Sequence, residues 1–221
     1  MNLKFITTKD NEEISDAIAS SVNKQLEKNN KVLWLVCGGS SIPLEILVSG
    51  KINKVLSKNL VISLTDERFG PLGHSDSSMQ KLLDGGFLLH SAKLVPFLVG
   101  KDMYTTKEEV SKSLSHEFKK ADYKIGIFGI GIDGHTAGIL PHTVAVNSKD
   151  IICTYETDIF DRITTTPDTI SKLDEVFIYA MGENKWPVLE SLNKEISIEE
   201  APAQILKKVP LVTIFTDYKN D

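Results

Sequence analysis

Cysteine is nearly absent: the 221 residues hold only Cys37 and Cys153, with no C-x-x-C spacing. That excludes a disulfide framework and a thiolate zinc site, and both thiols are expected to be buried and reduced. Long apolar runs are missing too, and none approaches the roughly 20 residues of a membrane span. The opening MNLKFITTKDNEE turns acidic where a secretory signal would continue its apolar core. No Pro/Gly/Ser-rich linker, charge block, low-complexity tract or internal repeat divides the chain. These absences leave a single expected domain over residues 1–221, soluble and cytoplasmic, with 41% apolar residues to build its core. A net charge of -5 speaks against a broad nucleic-acid surface, though not against a local cationic pocket.

What the chain has instead is alternation. Ile14, Ala17, Ile18, Val22 and Leu26 recur at helical spacing over 10–28, behind Asp10 as a cap. KVLWLVC at 31–37 is a continuous apolar run, expected to be the first strand and covered on both faces. Pro43 then suits a first helical turn, and Leu44, Leu47, Val48, Ile52 and Val55 form the next apolar stripe. LVISL at 60–64 is a second buried strand, and AKLVPFLV a weaker one that Pro96 confines to an edge. A helix over 106–120 leads into the strand KIGIFGI. IICTY, EVFIYAM and PLVTIFT supply three more strands, with short helices at 167–173, 183–193 and 198–207. Such alternation predicts an α/β fold whose mostly parallel sheet carries helices on both faces and binds ligands beyond the carboxyl ends of its strands.

Three polar turns converge on that rim. They are Gly38-Gly39-Ser40-Ser41 after 31–37, Asp66-Glu67-Arg68 after 60–64, and Gly129 to His135 after KIGIF. The third contains G-x-G-x-x-G, the spacing of a dinucleotide fingerprint. A fingerprint needs a crossover helix after its last glycine, and HTAGILPHT, broken by Gly138 and Pro141, leaves no room for one. The glycines are instead expected to let backbone N–H groups approach an anion while Asp133 and His135 point into the site. His74, His90, His116 and His142 read as ordinary structural histidines, whereas His135, flanked by glycines and by Asp133, has few apolar neighbours and reads as chemical. Asp133 and His135 lack a third metal ligand at usual spacing, and Ser40 lacks the second glycine of a nucleophile elbow.

GGSS, DERFGPLGHSDSS, GIGIDGHTAGILP, DRITT and MGENK, in this order and across nearly the whole chain, resemble the 6-phosphogluconolactonase family, which shares its fold with glucosamine-6-phosphate deaminases. The resemblance implies a three-layer α/β/α domain with a Rossmann-like sheet, of the phosphosugar isomerase and coenzyme A transferase-like kind. It also implies hydrolysis of 6-phospho-D-glucono-1,5-lactone in the oxidative pentose phosphate route. The implied catalytic residues are His135 as base, Asp133 to orient the site or hold the imidazole tautomer, Arg68 for an oxyanion or sugar hydroxyls, and Asp66. Substrate and phosphate contacts fall to Gly38, Gly39, Ser40, Ser41, Glu67, Arg162 and Lys185, with no metal and no cofactor. The chain departs from the family pattern at Ile42, Gly70, Ser78 and Gly138, which bears on substrate contacts more than on the chemistry. Two other readings stand beside this one. A deaminase would carry a carboxylate after Asp-Gly-His, where this chain has Thr-Ala-Gly-Ile-Leu-Pro-His. A sugar-phosphate sensor would carry a DNA-binding unit ahead of the first strand, where only about thirty residues are available.

Overall fold

The computed structural model describes residues 3–218. Seven parallel strands form the main sheet in the order β1-β10-β9-β6-β2-β3-β5. They are β1 (Leu3–Thr7), β2 (Val32–Val36), β3 (Leu60–Leu64), β5 (Lys93–Val95), β6 (Tyr123–Phe128), β9 (Glu175–Ala180) and β10 (Leu211–Thr216). A second, antiparallel sheet stands at their carboxyl ends in the order β4-β8-β7, made of β4 (Asp66–Arg68), β7 (Ile152–Tyr155) and β8 (Arg162–Thr165).

Burial explains the central strands. All five residues of β2 are buried, as befits a strand packed on both faces. β5 occupies the edge that Pro96 foretold. The helix α1 (Asn11–Glu27) starts where Asp10 accepts the Glu12 amide at 2.9 Å, and its buried stripe is Ile14, Ile18, Val22 and Leu26. It is followed by α2 (Ile42–Lys51), α3 (Ser78–Asp84) and α4 (Met103–Lys120). Because parallel crossovers are right-handed, the outward steps β1-β2-β3-β5 place α1 to α3 on one face, and the return to β6 places α4 on the other. The contacts agree: α1 packs on α2, α2 on α3, and α4 on β7.

Several expectations are corrected. The first strand is β1, not 31–37, so the stretch ahead of β2 supplies an edge strand of the sheet as well as α1. IICTY is a strand, but it lies in the antiparallel sheet. Val55 is 78% exposed, beyond the end of α2 at Lys51. A short helix not expected from the sequence is α5 (Val144–Asn147), and the late helices shrink to α6 (Pro167–Ile170), α7 (Trp186–Ser191) and 3-10 turns such as Pro202–Lys208.

This order puts the switch point at β2. The chain leaves β2 for β3 on one side and returns to β6 on the other, which opens a crevice above the β2/β6 pair.

Candidate active site

Two loops emerge into that crevice. After β2 the chain runs through Cys37 and Gly38 into a 3-10 turn, Gly39–Ser41, and then into α2 with Pro43 in its first turn, so the amino end of α2 opens on the crevice. After β6, Gly131 and His135 close a tight turn: the Gly131 amide donates to the His135 carbonyl at 2.8 Å, and the Gly134 amide to the Gly131 carbonyl at 3.0 Å. Thr136 Oγ1 ties the turn to the Gly129 carbonyl at 2.9 Å. The glycines of this loop, expected to let backbone N–H groups approach an anion, do so at neither Gly131 nor Gly134, because both amides are spent inside the turn.

The turn aims a histidine. His135 Nδ1 lies 2.5 Å from Asp133 Oδ1, and the His135 amide donates to the same oxygen at 3.2 Å. With Nδ1 engaged, Nε2 is the ring nitrogen left for the cavity. Partial burial works against ionisation of Asp133, but the His135 ring and amide outweigh it and hold the carboxyl below its usual range.

The antiparallel sheet forms the opposite wall. Thr65, between β3 and β4, fastens it: the Thr65 amide donates to Val36, and Thr165 donates to the Thr65 carbonyl from both its amide and its hydroxyl. Asp66 lies opposite Thr164 and Arg68 opposite Arg162. Alternation along β4 then gives Asp66 and Arg68 one face and Glu67 the other. Asp66, Arg68 and Arg162 line the cavity. Glu67 does not, and its expected role in substrate binding is corrected. Its buried carboxylate accepts the amides of Arg68, Ser78 and Met79 and the hydroxyl of Ser77, so it clamps the start of α3.

The cavity, about 440 Å³, also takes in Gly38, Gly39, Ser40, His135 and Lys185. Ser41 is turned away, 2% exposed, with its hydroxyl donating to the Gly38 carbonyl at 3.0 Å; it is not a phosphate contact in this arrangement. Burial pushes the Asp66 carboxyl up, against the Thr65 hydroxyl and the Arg162 charge. Burial likewise pushes the Lys185 ammonium down, while its Nζ donates to the Ile130 carbonyl at 2.6 Å. Among the described residues Arg162 Nε is buried without a partner, and Arg68 stacks at 4.5 Å on the Phe160 ring while reaching Asp76 at 3.5 Å. Sequence reasoning missed Lys81, which lines the cavity from α3 and lies 3.6 Å from Asp76. Its signal was available: Lys81 lies one helical turn beyond Ser78, whose side chain packs over Gly38. Gly138 is buried outside the cavity, its amide bound to Thr164 Oγ1 at 3.0 Å, so that departure changes the wall's support and not its surface.

Among the described residues His135, four cations and the half-buried Asp66 carboxyl thus face one small chamber; Asp133, expected to point into it, lies behind the imidazole and outside the cavity lining. Residues 9–214 match the model of the family described as glucosamine-6-phosphate isomerases/6-phosphogluconolactonase. The chain belongs to this family. One relative in it, a 6-phosphogluconolactonase of Helicobacter pylori, is 30% identical over 200 residues, with 86% of each chain covered. A glucosamine-6-phosphate deaminase of Lactobacillus johnsonii is also 30% identical, over 237 residues, covering 97% of this chain and 95% of that protein. The crystal structure of a 6-phosphogluconolactonase from Thermotoga maritima superposes with a TM-score of 0.82 at 18% identity, over 97% of this chain and 98% of that one, which establishes the shared fold. Family membership alone leaves two chemistries in play.

Proposed function

We propose that this cavity hydrolyses 6-phospho-D-glucono-1,5-lactone to 6-phospho-D-gluconate. The observation that carries the reading is His135, held through Nδ1 by Asp133 outside the cavity, on the wall of a cation-lined chamber whose lining, among the described residues, has Asp66 as its one carboxyl. A lactone is an activated ester, so water, a base and an oxyanion partner suffice. Asp133 accepts the Nδ1 proton, which leaves the Nε2 lone pair to take a proton from water as its oxygen attacks carbon 1. The carbonyl electrons move onto oxygen, where a guanidinium, Arg68 or Arg162, is suited to the developing charge. Collapse of that intermediate breaks the bond from carbon 1 to the ring oxygen, which receives the proton from Nε2; the new carboxylic acid gives its own proton to solvent.

The phosphate needs a separate seat. Gly39 and Ser40 at the amino end of α2, with Lys185 and Arg162 as cations, match what a dianion requires. A cytoplasmic setting belongs to the same reading and is supported by two buried, unpaired cysteines.

Deamination of glucosamine 6-phosphate would fill the same seat, yet it needs ring opening and proton movement between carbons 1 and 2. Residues 136–142, which follow the dyad, offer no carboxylate for that work. The deciding experiment supplies freshly generated lactone and, in parallel, glucosamine 6-phosphate. Lactone loss well above its spontaneous rate with no ammonia is expected. Substantial ammonia release, with the lactone decaying only spontaneously, would replace this reading by the deaminase.

A further inference from the structure

Beneath the Cys37–Ser41 turn lies a carboxyl that the chemistry above does not use. Glu45, in the first turn of α2, is 0% exposed. Its Oε1 accepts the Cys37 amide at 2.8 Å and lies 3.4 Å from the Ser41 hydroxyl. That hydroxyl in turn meets Cys37 Sγ at 3.0 Å. Among the described residues Oε2 is buried with no partner and no cation pairs with Glu45. An ionised carboxylate in that position would be both dry and unneutralised, which is costly.

We infer that Glu45 is a positioning residue that shapes the Cys37–Ser41 turn for a phosphate dianion while its carboxyl is neutral, and that ionising it expels the phosphate. This rests on the phosphate seat proposed above. The turn leads directly into α2, so its anion affinity depends on the positive field at that helix end. A negative charge inside the first turn would compete for the same field from below. Burial outweighs the hydrogen bonds from Cys37 and the Ser41 hydroxyl, which favour the ionised carboxyl, and no cation faces Glu45 among the described residues: Cys37 at the end of β2 and Asp66 on β4 are both acidic, and burial pushes both upward. Burial likewise pushes Glu45 up to about 8, so the neutral form is the working form at neutral pH. Phosphate binding and loss of the Glu45 proton then oppose each other, and each weakens the other equally.

The probe is 6-phosphogluconate, the stable product, with its affinity measured by calorimetry from pH 7.5 to 9.5, where the phosphate is already a dianion. The wild type should lose about tenfold in affinity by pH 9. Glu45→Gln keeps an oxygen for the Cys37 amide and cannot ionise, so it should remove most of that loss. Lys185, whose charge is also weakened by burial, accounts for whatever slope survives in Glu45→Gln. Retention of the full wild-type slope by Glu45→Gln would overturn the inference while leaving the seat intact, provided Lys185→Ala and Ser40→Ala still weaken binding. Undiminished binding by both of those variants would overturn seat and inference together. A readout on the wild type alone is the infrared band of a protonated carboxyl, expected at pH 7, lost on alkaline titration, and retained to higher pH when product is bound. Its absence at pH 7 would also sink the idea.

Discussion

At Gly131 a methyl group has nowhere to go. A Cβ there would fall far inside van der Waals contact with His135 Nδ1 and Cε1 and with Asp133 Oδ1, so glycine is what lets the dyad lie across its own turn. Gly131→Ala should therefore lower kcat by displacing the imidazole, with the fold retained; circular dichroism beside steady-state kinetics checks both halves. His135→Ala removes the base outright and should lower kcat by about a hundredfold or more with little change in KM. Lys185→Ala should show the reverse, a raised KM with kcat largely kept, because the phosphate is held equally in the ground and transition states. Near-normal kcat in the His135 variant would show that another group takes the proton.

Among the elements, α3 shows how a short segment becomes load-sharing. Only Met79 and Leu82 are buried along its seven residues, and such a helix is marginal by itself. Glu67 supplies what burial does not, accepting three hydrogen bonds at the helix start and a fourth from the Arg68 amide on its own strand. Glu67→Ala should cost about 3 kcal/mol or more, read as a lower Tm or denaturant midpoint, and should release Lys81 and Ser78 from the cavity wall. The same element explains what could be read from the chain and what could not. β2, β6, β9 and β10 announced themselves as apolar runs because they are covered on both faces, and Asp10 and Pro43 marked two helix starts. β4 and β8 read as Asp-Glu-Arg and Arg-Ile-Thr-Thr, polar because one of their faces is the cavity wall, so no apolar pattern betrayed them. That is also why the sequence placed all three residues of the first run in the site: in a loop nothing separates Glu67 from its neighbours, whereas a strand turns it away. β1, a half-buried edge of five residues, lacks both periodicity and length. The dyad was legible, since His135 and Asp133 are local in sequence, but Glu45 looked like one more polar residue of an amphipathic helix until the tertiary fold closed over it.

For the molecule as a whole, buried carboxyls set the pH response. Glu45 is raised from 4.5 to about 8 in the folded protein. Between those values the native state holds a proton that the unfolded chain has released, so stability falls with rising pH. The contribution is complete below about 4.5 and lost as pH climbs through 8; Asp66 acts in the same direction. Thermal melts from pH 5 to 9 should show the Tm of the wild type sinking relative to Glu45→Gln, and a constant difference would contradict the assignment.

The pairing of β1 with β10 has a further consequence, for the order in which the protein is made. Leu3 lies beside Val212 and Thr7 beside Thr216, so of the strands described the earliest in the chain has as its partner the latest. Every residue that lines the cavity, through Lys185, is translated earlier, and β2, β3 and β6 can join without waiting. β1 cannot: until β10 slides between it and β9, it dangles from α1 as an unmatched edge. A nascent chain stalled short of Leu211 would thus forfeit two strands rather than one, and β10 acts as the latch for β1 as well as for itself.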